Sequence, residues 1–124
     1  VLLDNKRVIF SGYRNDVPEI LKSCDLSILS SYYEGLPMVA LESLAIGTLM
    51  IGSRIEGLKE ILKEEMLLFE VENEKELANK VQKLLYDYIE IKKIKIKILS
   101  KIKKYSIVEM LKKYKVLYEN IKEE

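Results

Sequence analysis

Two glutamates, Glu34 and Glu42, stand eight positions apart in the stretch Ser31-Tyr32-Tyr33-Glu34-Gly35-Leu36-Pro37-Met38-Val39-Ala40-Leu41-Glu42. Glu34 falls in a loop that follows an apolar run, and Glu42 falls inside the helix that comes next. Ionised carboxylates accept hydrogen bonds from paired hydroxyls, the groups that sugars and riboses offer. Between the two, Gly35 lets a ligand come close to the backbone. Pro37 opens the helix, so the amides near Leu36, Met38 and Val39 point toward the end of the preceding strand. Such amides, with the helix dipole, suit a phosphate or an electron-rich sugar oxygen. The chemistry indicated is recognition of a polyhydroxylated phosphate ester. Spacing alone does not decide it, because two glutamates around a helix start also fit a dipole-compensating residue and a solvated one.

The elements that must hold these residues read as alternating strands and helices. Arg7–Phe10, Leu26–Ser30, Leu49–Gly52 and Leu67–Val71 are short apolar runs bounded by turn residues, the pattern of strands. Between them lie helical segments. Val17 to Ser23 follows Asp16 as N-cap, with Pro18 in its first turn. Pro37 to Ile46 stops at Gly47, and Gly57 to Lys63 forms a third. This order predicts an α/β fold, a parallel sheet with helices on its faces, with ligands at the carboxyl ends of the strands. Those ends are 11–14, 31–35 and 53–57.

All five glycines and both prolines precede Glu72. The chain therefore divides into residues 1–71, the strand and helix alternation with the site, and residues 72–124, which read as helices within the same domain. Lys75 to Tyr86 carries Leu77, Val81, Leu84 and Leu85 at helical spacing. Ile94 to Ile98 alternates like a strand, but Ile91, Ile94, Ile98 and Ile102 recur as on a helix and no breaker interrupts them, so helix is the reading. A last helix, Ile107 to Lys122, is expected to bury Met110 or Leu111, Tyr114, Leu117, Tyr118 and Ile121.

Composition sets limits. A length of 124 residues suits one domain, and 21 basic against 20 acidic residues give no field that argues for nucleic acid. There is no histidine, which removes Ser-His and Cys-His nucleophiles and most zinc sites. Cys24 has no internal partner and is read as a packing residue before a buried strand. The chain has no apolar run of membrane-spanning length and no signal-peptide pattern, so a cytoplasmic location is the expectation. Lys92 to Lys104 holds seven lysines and no acid, which is either a solvated helix face or a contact for anionic lipid headgroups at the inner face of the membrane.

The Glu34–Glu42 segment resembles the signature of the GT-B glycosyltransferases of family 4, the group 1 glycosyltransferases, in which seven residues separate two glutamates. The likeness continues in order along the chain. Val8-Ile9-Phe10-Ser11-Gly12-Tyr13-Arg14-Asn15-Asp16-Val17-Pro18 resembles the family's strand and loop before the motif, and Cys24 to Ser31 its next strand. Ala45 to Ser53 resembles the strand after it, and Gly57-Leu58-Lys59-Glu60-Ile61 the usual Gly-x-x-Glu-Ile segment. Leu67-Leu68-Phe69-Glu70, the helix with Glu76-Leu77-Ala78, and Tyr114 to Tyr118 follow in the same order.

The resemblance implies a Rossmann-like C-terminal domain that binds a nucleotide sugar, within a retaining enzyme that transfers the sugar to a glycan or lipid-linked acceptor. Glu34 would be the catalytic carboxylate, bonding hydroxyls of the transferred sugar, and Glu42 would hold the nucleotide ribose. Backbone amides at Gly35, Leu36, Pro37 (which lacks one), Met38 and Val39 mark the stretch facing the sugar and distal phosphate. The Gly12-Tyr13-Arg14 loop would lie beside the base; as plain loop residues Tyr13 and Arg14 would simply be solvated. No cofactor and no metal is implied. A related nucleotide-sugar epimerase and a non-catalytic fragment are the competing readings.

Departures from the pattern are Ser30 and Leu49 where proline is common, Glu56 where glycine is common, and Lys59 where proline is common. The Lys63–Met66 loop is shorter and more acidic than usual. Arg54, at a strand end, is read as a surface residue, with a phosphate contact as the alternative. The family's opening strand, loop and helix, which carry an Arg and a Lys for the donor phosphates, and a second strand have no counterpart before Val8. The natural protein is therefore expected to be longer, its N-terminal part being a partner of this one, and this piece alone to be inactive. The sheet is expected to be interrupted between the strand at Val8 and the strand at Leu26.

Overall fold

The computed structural model describes residues 7–121. Helix α1 (Val17–Ser23) leads to strand β1 (Leu26–Leu29), and α2 (Met38–Ile46) to β2 (Leu49–Ser53). Helix α3 (Glu56–Leu62), a 3-10 turn (Glu65–Leu67) and β3 (Leu68–Phe69) follow. The remainder is helical: α4 (Glu74–Tyr86), α5 (Tyr88–Ile102), a second 3-10 turn (Lys103–Tyr105) and α6 (Ile107–Ile121). The fold is α/β, with a parallel sheet in the order β1-β2-β3 and helices packed on it.

Register follows from burial. Leu26 stands beside Leu49 and Ile28 beside Ile51, while Gly52 and Ser53 pair with Leu68 and Phe69. All five residues of the central β2 are buried, as a strand covered on both faces requires. Leu44, Leu58, Leu62, Leu84, Ile94 and Ile98 close over it from four helices. A buried polar network ties the layers: the Ser27 and Ser43 hydroxyls lie 2.7 Å apart, Ser43 donates to the Thr48 carbonyl at 3.0 Å, and Thr48 donates to the Leu21 carbonyl at 2.7 Å. These bonds satisfy hydroxyls that would otherwise be costly to bury.

Local signals explain the boundaries. Gly47, at φ 93°, ends α2 in the left-handed conformation that glycine adopts without penalty. Asn73 accepts from the Glu76 amide at 3.0 Å and Asp87 from the Glu90 amide at 2.9 Å, so α4 and α5 are separately capped. Ile94 and Ile98 are buried in α5 while Ile96 is 62% exposed, which settles the ambiguous isoleucine run as helix.

Four expectations need correction. Arg7–Phe10 is not a strand; Ile9 and Phe10 are exposed, and no described strand pairs with the outer edge of β1. An apolar run without a ladder partner has nothing to fix it as a strand. Strand β3 is only two residues, because the 3-10 turn takes Leu67 and the Glu70 backbone turns away toward Asn73. Helix α6 has the expected extent up to Ile121 (Lys122 lies outside the described residues) but buries nothing, with Tyr114, Leu117 and Tyr118 all more than half exposed. Its apolar stripe stays largely exposed. Cys24 is exposed, because it caps α1 ahead of the strand instead of packing beneath it.

Helix α5 is fastened to the turn after α3 by Glu64, whose carboxylate meets Lys97 at 2.8 Å and Lys101 at 3.4 Å. Partial burial works to raise this carboxyl's pKa, but the two ammonium groups outweigh it and hold it below the ordinary glutamate value of 4.5. A carboxyl depressed in the folded state contributes stability above its unfolded pKa and loses it as pH falls through the folded one. Urea midpoints are therefore expected to drop on acidification below about pH 4.5, and Glu64→Gln should flatten part of that drop. Identical acid profiles for the two proteins would show that the pair does not contribute.

Candidate functional site

The Ser31–Glu42 stretch leaves the carboxyl end of β1 and enters α2, as an alternating fold demands of a ligand-binding loop. The Ser31 hydroxyl donates to Glu34 Oε1 at 2.8 Å, which orients a half-buried carboxylate. Tyr32 donates its hydroxyl to Glu72 Oε1 at 2.8 Å across the β3–α4 turn. That carboxylate raises the phenol's pKa above its ordinary value by favouring the protonated form. Pro37, at φ −70°, is the N-cap of α2, and its carbonyl takes the Ala40 amide at 3.0 Å. The Met38 and Val39 amides, in the helix's first turn, have no intrahelical carbonyl to bond.

Helix α3 presses against the same loop. A Cβ added to Gly57 would lie 2.5 Å from both the Glu34 and Gly35 carbonyl oxygens, so only glycine permits this approach. Gly35, by contrast, has open space around it. The resulting cavity, about 530 Å³, is lined by Tyr33, Glu34, Gly35, Glu56, Gly57, Lys59, Glu60 and Lys63. Its charged groups are three carboxylates against two ammonium groups, and Lys59 already donates to Glu56 Oε1 at 2.8 Å. Such a rim favours hydroxyl donors over a bare anion.

The expected site residues divide. Glu34 and Gly35 line the cavity. Leu36 and Met38 are exposed at the start of α2 and Glu42 midway along it, Pro37 is buried and Val39 half-buried, and none of them lines this hollow. Gly12, at φ 63°, shapes an exposed loop with Tyr13 and Arg14. Among the described residues no hydrogen bond or ion pair joins that loop to 31–42. Arg14 is instead paired with Asp16, its Nε donating to Oδ1 at 2.7 Å, which also leaves Asp16 without the side-chain cap expected of it.

Arg54 does not reach the cavity. Its guanidinium grips Glu65 through Nη1 at 3.0 Å and Nη2 at 2.6 Å, and Nε sits 2.6 Å from Glu70 without the alignment of a hydrogen bond. The Glu65 bonds raise the guanidinium's pKa further and commit it to the sheet's end. Tyr33, Glu60 and Lys63 were missed as lining residues. Glu56 and Lys59 stand out in sequence only as departures from the family pattern, and Lys63 only as the first residue of a loop shorter and more acidic than the family's.

The family described as "Glycosyl transferases group 1" matches residues 2–116. Among curated relatives, the N,N'-diacetylbacillosaminyl-diphospho-undecaprenol alpha-1,3-N-acetylgalactosaminyltransferase of Campylobacter jejuni is 36% identical over 87 residues, 68% of this chain and 23% of that protein. The UDP-Gal:alpha-D-GlcNAc-diphosphoundecaprenol alpha-1,3-galactosyltransferase of Escherichia coli is 40% identical over 67 residues, 54% of this chain and 17% of that protein. The N-acetyl-alpha-D-glucosaminyl L-malate synthase of Bacillus anthracis is 35% identical over 83 residues, 65% of this chain and 22% of that protein. The matches thus span less than a quarter of each relative's length.

Proposed function

The chain belongs to the group 1 glycosyl transferases, and from that premise we propose that it forms the nucleotide-sugar-binding part of a retaining enzyme of the GT-B, family 4 type. The acceptor would be a glycan or a lipid-linked sugar, in keeping with the diphospho-undecaprenol substrates in two relatives' names. The observation that carries the reading is the cavity at the end of β1, where Ser31 orients Glu34 beside the Gly35–Gly57 contact. In this reading Glu34 accepts hydrogen bonds from hydroxyls of the transferred sugar. The Met38 and Val39 amides meet the distal phosphate, Glu42 takes the ribose hydroxyls, and Tyr13 and Arg14 approach the base. Transfer with retention breaks the sugar–phosphate bond while the acceptor oxygen bonds the same face, and the acceptor's proton leaves with the phosphate. The protein's share is to position both partners and stabilise the departing charge, with no cofactor and no metal.

An amide NMR titration with UDP, GDP and their hexose conjugates tests this. Saturable shifts are expected in residues 34–42, and Glu42→Ala should weaken binding about 10- to 100-fold, the value of hydrogen bonds to a charged group. Because Glu42 is exposed, its loss should leave the fold intact. Well-dispersed spectra that respond to no nucleotide, or a Glu42→Ala variant that binds as well as the parent, would remove the proposal.

A further inference from the structure

A second hollow, about 470 Å³, opens between α3 and the end of α5. Its floor is apolar, made by Ile61, Ile98 and Ile102, and its rim carries Lys63, Lys101 and Lys104. Glu60 is the one carboxylate that lines it, and Glu60 and Lys63 also border the cavity at Glu34. The Lys104 ammonium sits 4.6 Å from the Tyr105 ring centroid, which holds it over the hollow's edge.

Three observations give the hollow a direction. The first is charge: of the seven lysines from Lys92 to Lys104, Lys97 and Lys101 share Glu64 and Lys93 lies 3.9 Å from Glu90. Lys92, Lys95, Lys103 and Lys104 form no ion pair with a described carboxylate. The second is apolar exposure. Beyond the Lys103–Tyr105 turn, Ile107 and Val108 are 68% and 58% exposed, beside a further hollow lined by Lys103, Lys104, Ser106, Val108 and Glu109, whose carboxylate is already paired with Lys112. The third is Lys63, which ends α3 in the left-handed conformation at φ 54° and lines the rim.

We propose that this face is a docking surface for a bilayer containing anionic phospholipid, with a lipid phosphate in the lysine-rimmed hollow and Ile107 and Val108 in the headgroup layer. Lysines on flexible stems suit a headgroup of variable position, where a fixed phosphate site would use the rigid fork of arginine. Exposed apolar residues flanked by lysines add area to charge, the combination that holds a protein at a membrane interface.

The test is co-sedimentation of the full chain with phosphatidylcholine vesicles, with and without phosphatidylglycerol. Binding is expected only with phosphatidylglycerol. Each lysine near an anionic surface contributes about fivefold, so Lys103→Gln with Lys104→Gln, neither of them ion-paired to a described carboxylate, should weaken partition about 25-fold. Lys75→Gln with Lys83→Gln removes the same charge from α4 and should change it little. Lys63→Gly should weaken partition while its melting temperature holds or rises, which separates lost binding from lost fold. Equal losses from the α4 pair would overturn the proposal in favour of diffuse charge. So would an absence of vesicle binding, including the case where inorganic phosphate alone shifts the amides near Lys101 and Lys104.

Discussion

Gly57→Ala is expected to cost the chain about 3 kcal/mol of stability, the upper end of what overpacking usually costs. Two effects oppose one another at this position. Alanine is the better helix former by about 1 kcal/mol, so propensity alone would stabilise α3. Against that, its Cβ would sit 2.5 Å from two backbone oxygens, of Glu34 and Gly35, neither of which can swing aside as a side-chain tip can. The contact must open by about 1 Å to reach van der Waals separation, and the collision wins. In a chain that still folds, the loop that presents Glu34 must give way. A displacement of about 1 Å at a reacting centre can cost about 100-fold, so on the function proposed above nucleotide-sugar turnover should fall on that scale. Urea midpoints and the Gly35 amide shift read the two consequences separately. A stabilised Gly57→Ala protein would mean that α3 does not touch the loop.

Leu58→Ala should lose about 3 kcal/mol through the cavity it leaves, since Leu58 is fully buried. Its methyls lie over Gly52, where an added Cβ would come within 2.7 Å of Cδ1. Gly52→Ala alone should therefore cost about 1 to 3 kcal/mol by crowding. The double variant should cost less than the sum, because alanine at 52 fills space vacated at 58. A coupling of about 1 kcal/mol is the expected size for residues in contact. Additive losses in urea unfolding would separate the two residues.

The elements most legible in sequence were those fixed by local chemistry. Val17–Ser23 follows from the proline in its first turn, the stop of α2 from left-handed Gly47, and α5 from isoleucines at helical spacing. What failed were elements whose state depends on a partner. The Val8–Phe10 run has strand composition but pairs with no strand among the described residues, and α6 has an apolar stripe left largely exposed. The site was legible in the same measure. Glu34 and Gly35 are sequence neighbours and meet at the cavity, whereas Glu60 and Lys63 arrive there only because glycine at 57 lets α3 close on the loop. Arg54 and Arg14 carried charge that suggested a ligand, but the carboxylates of Glu65 and Asp16 claim it, which no spacing rule announces.

The loop bearing Glu34 is tied down along its length, by Ser31 on the Glu34 carboxylate, by Tyr32 on Glu72 forty residues away, and by the backbone of α3 at Gly57. Its conformational entropy is thus surrendered during folding and not at ligand encounter. Whatever this loop binds meets a surface already in shape, so little of the interaction free energy is diverted to ordering the receptor.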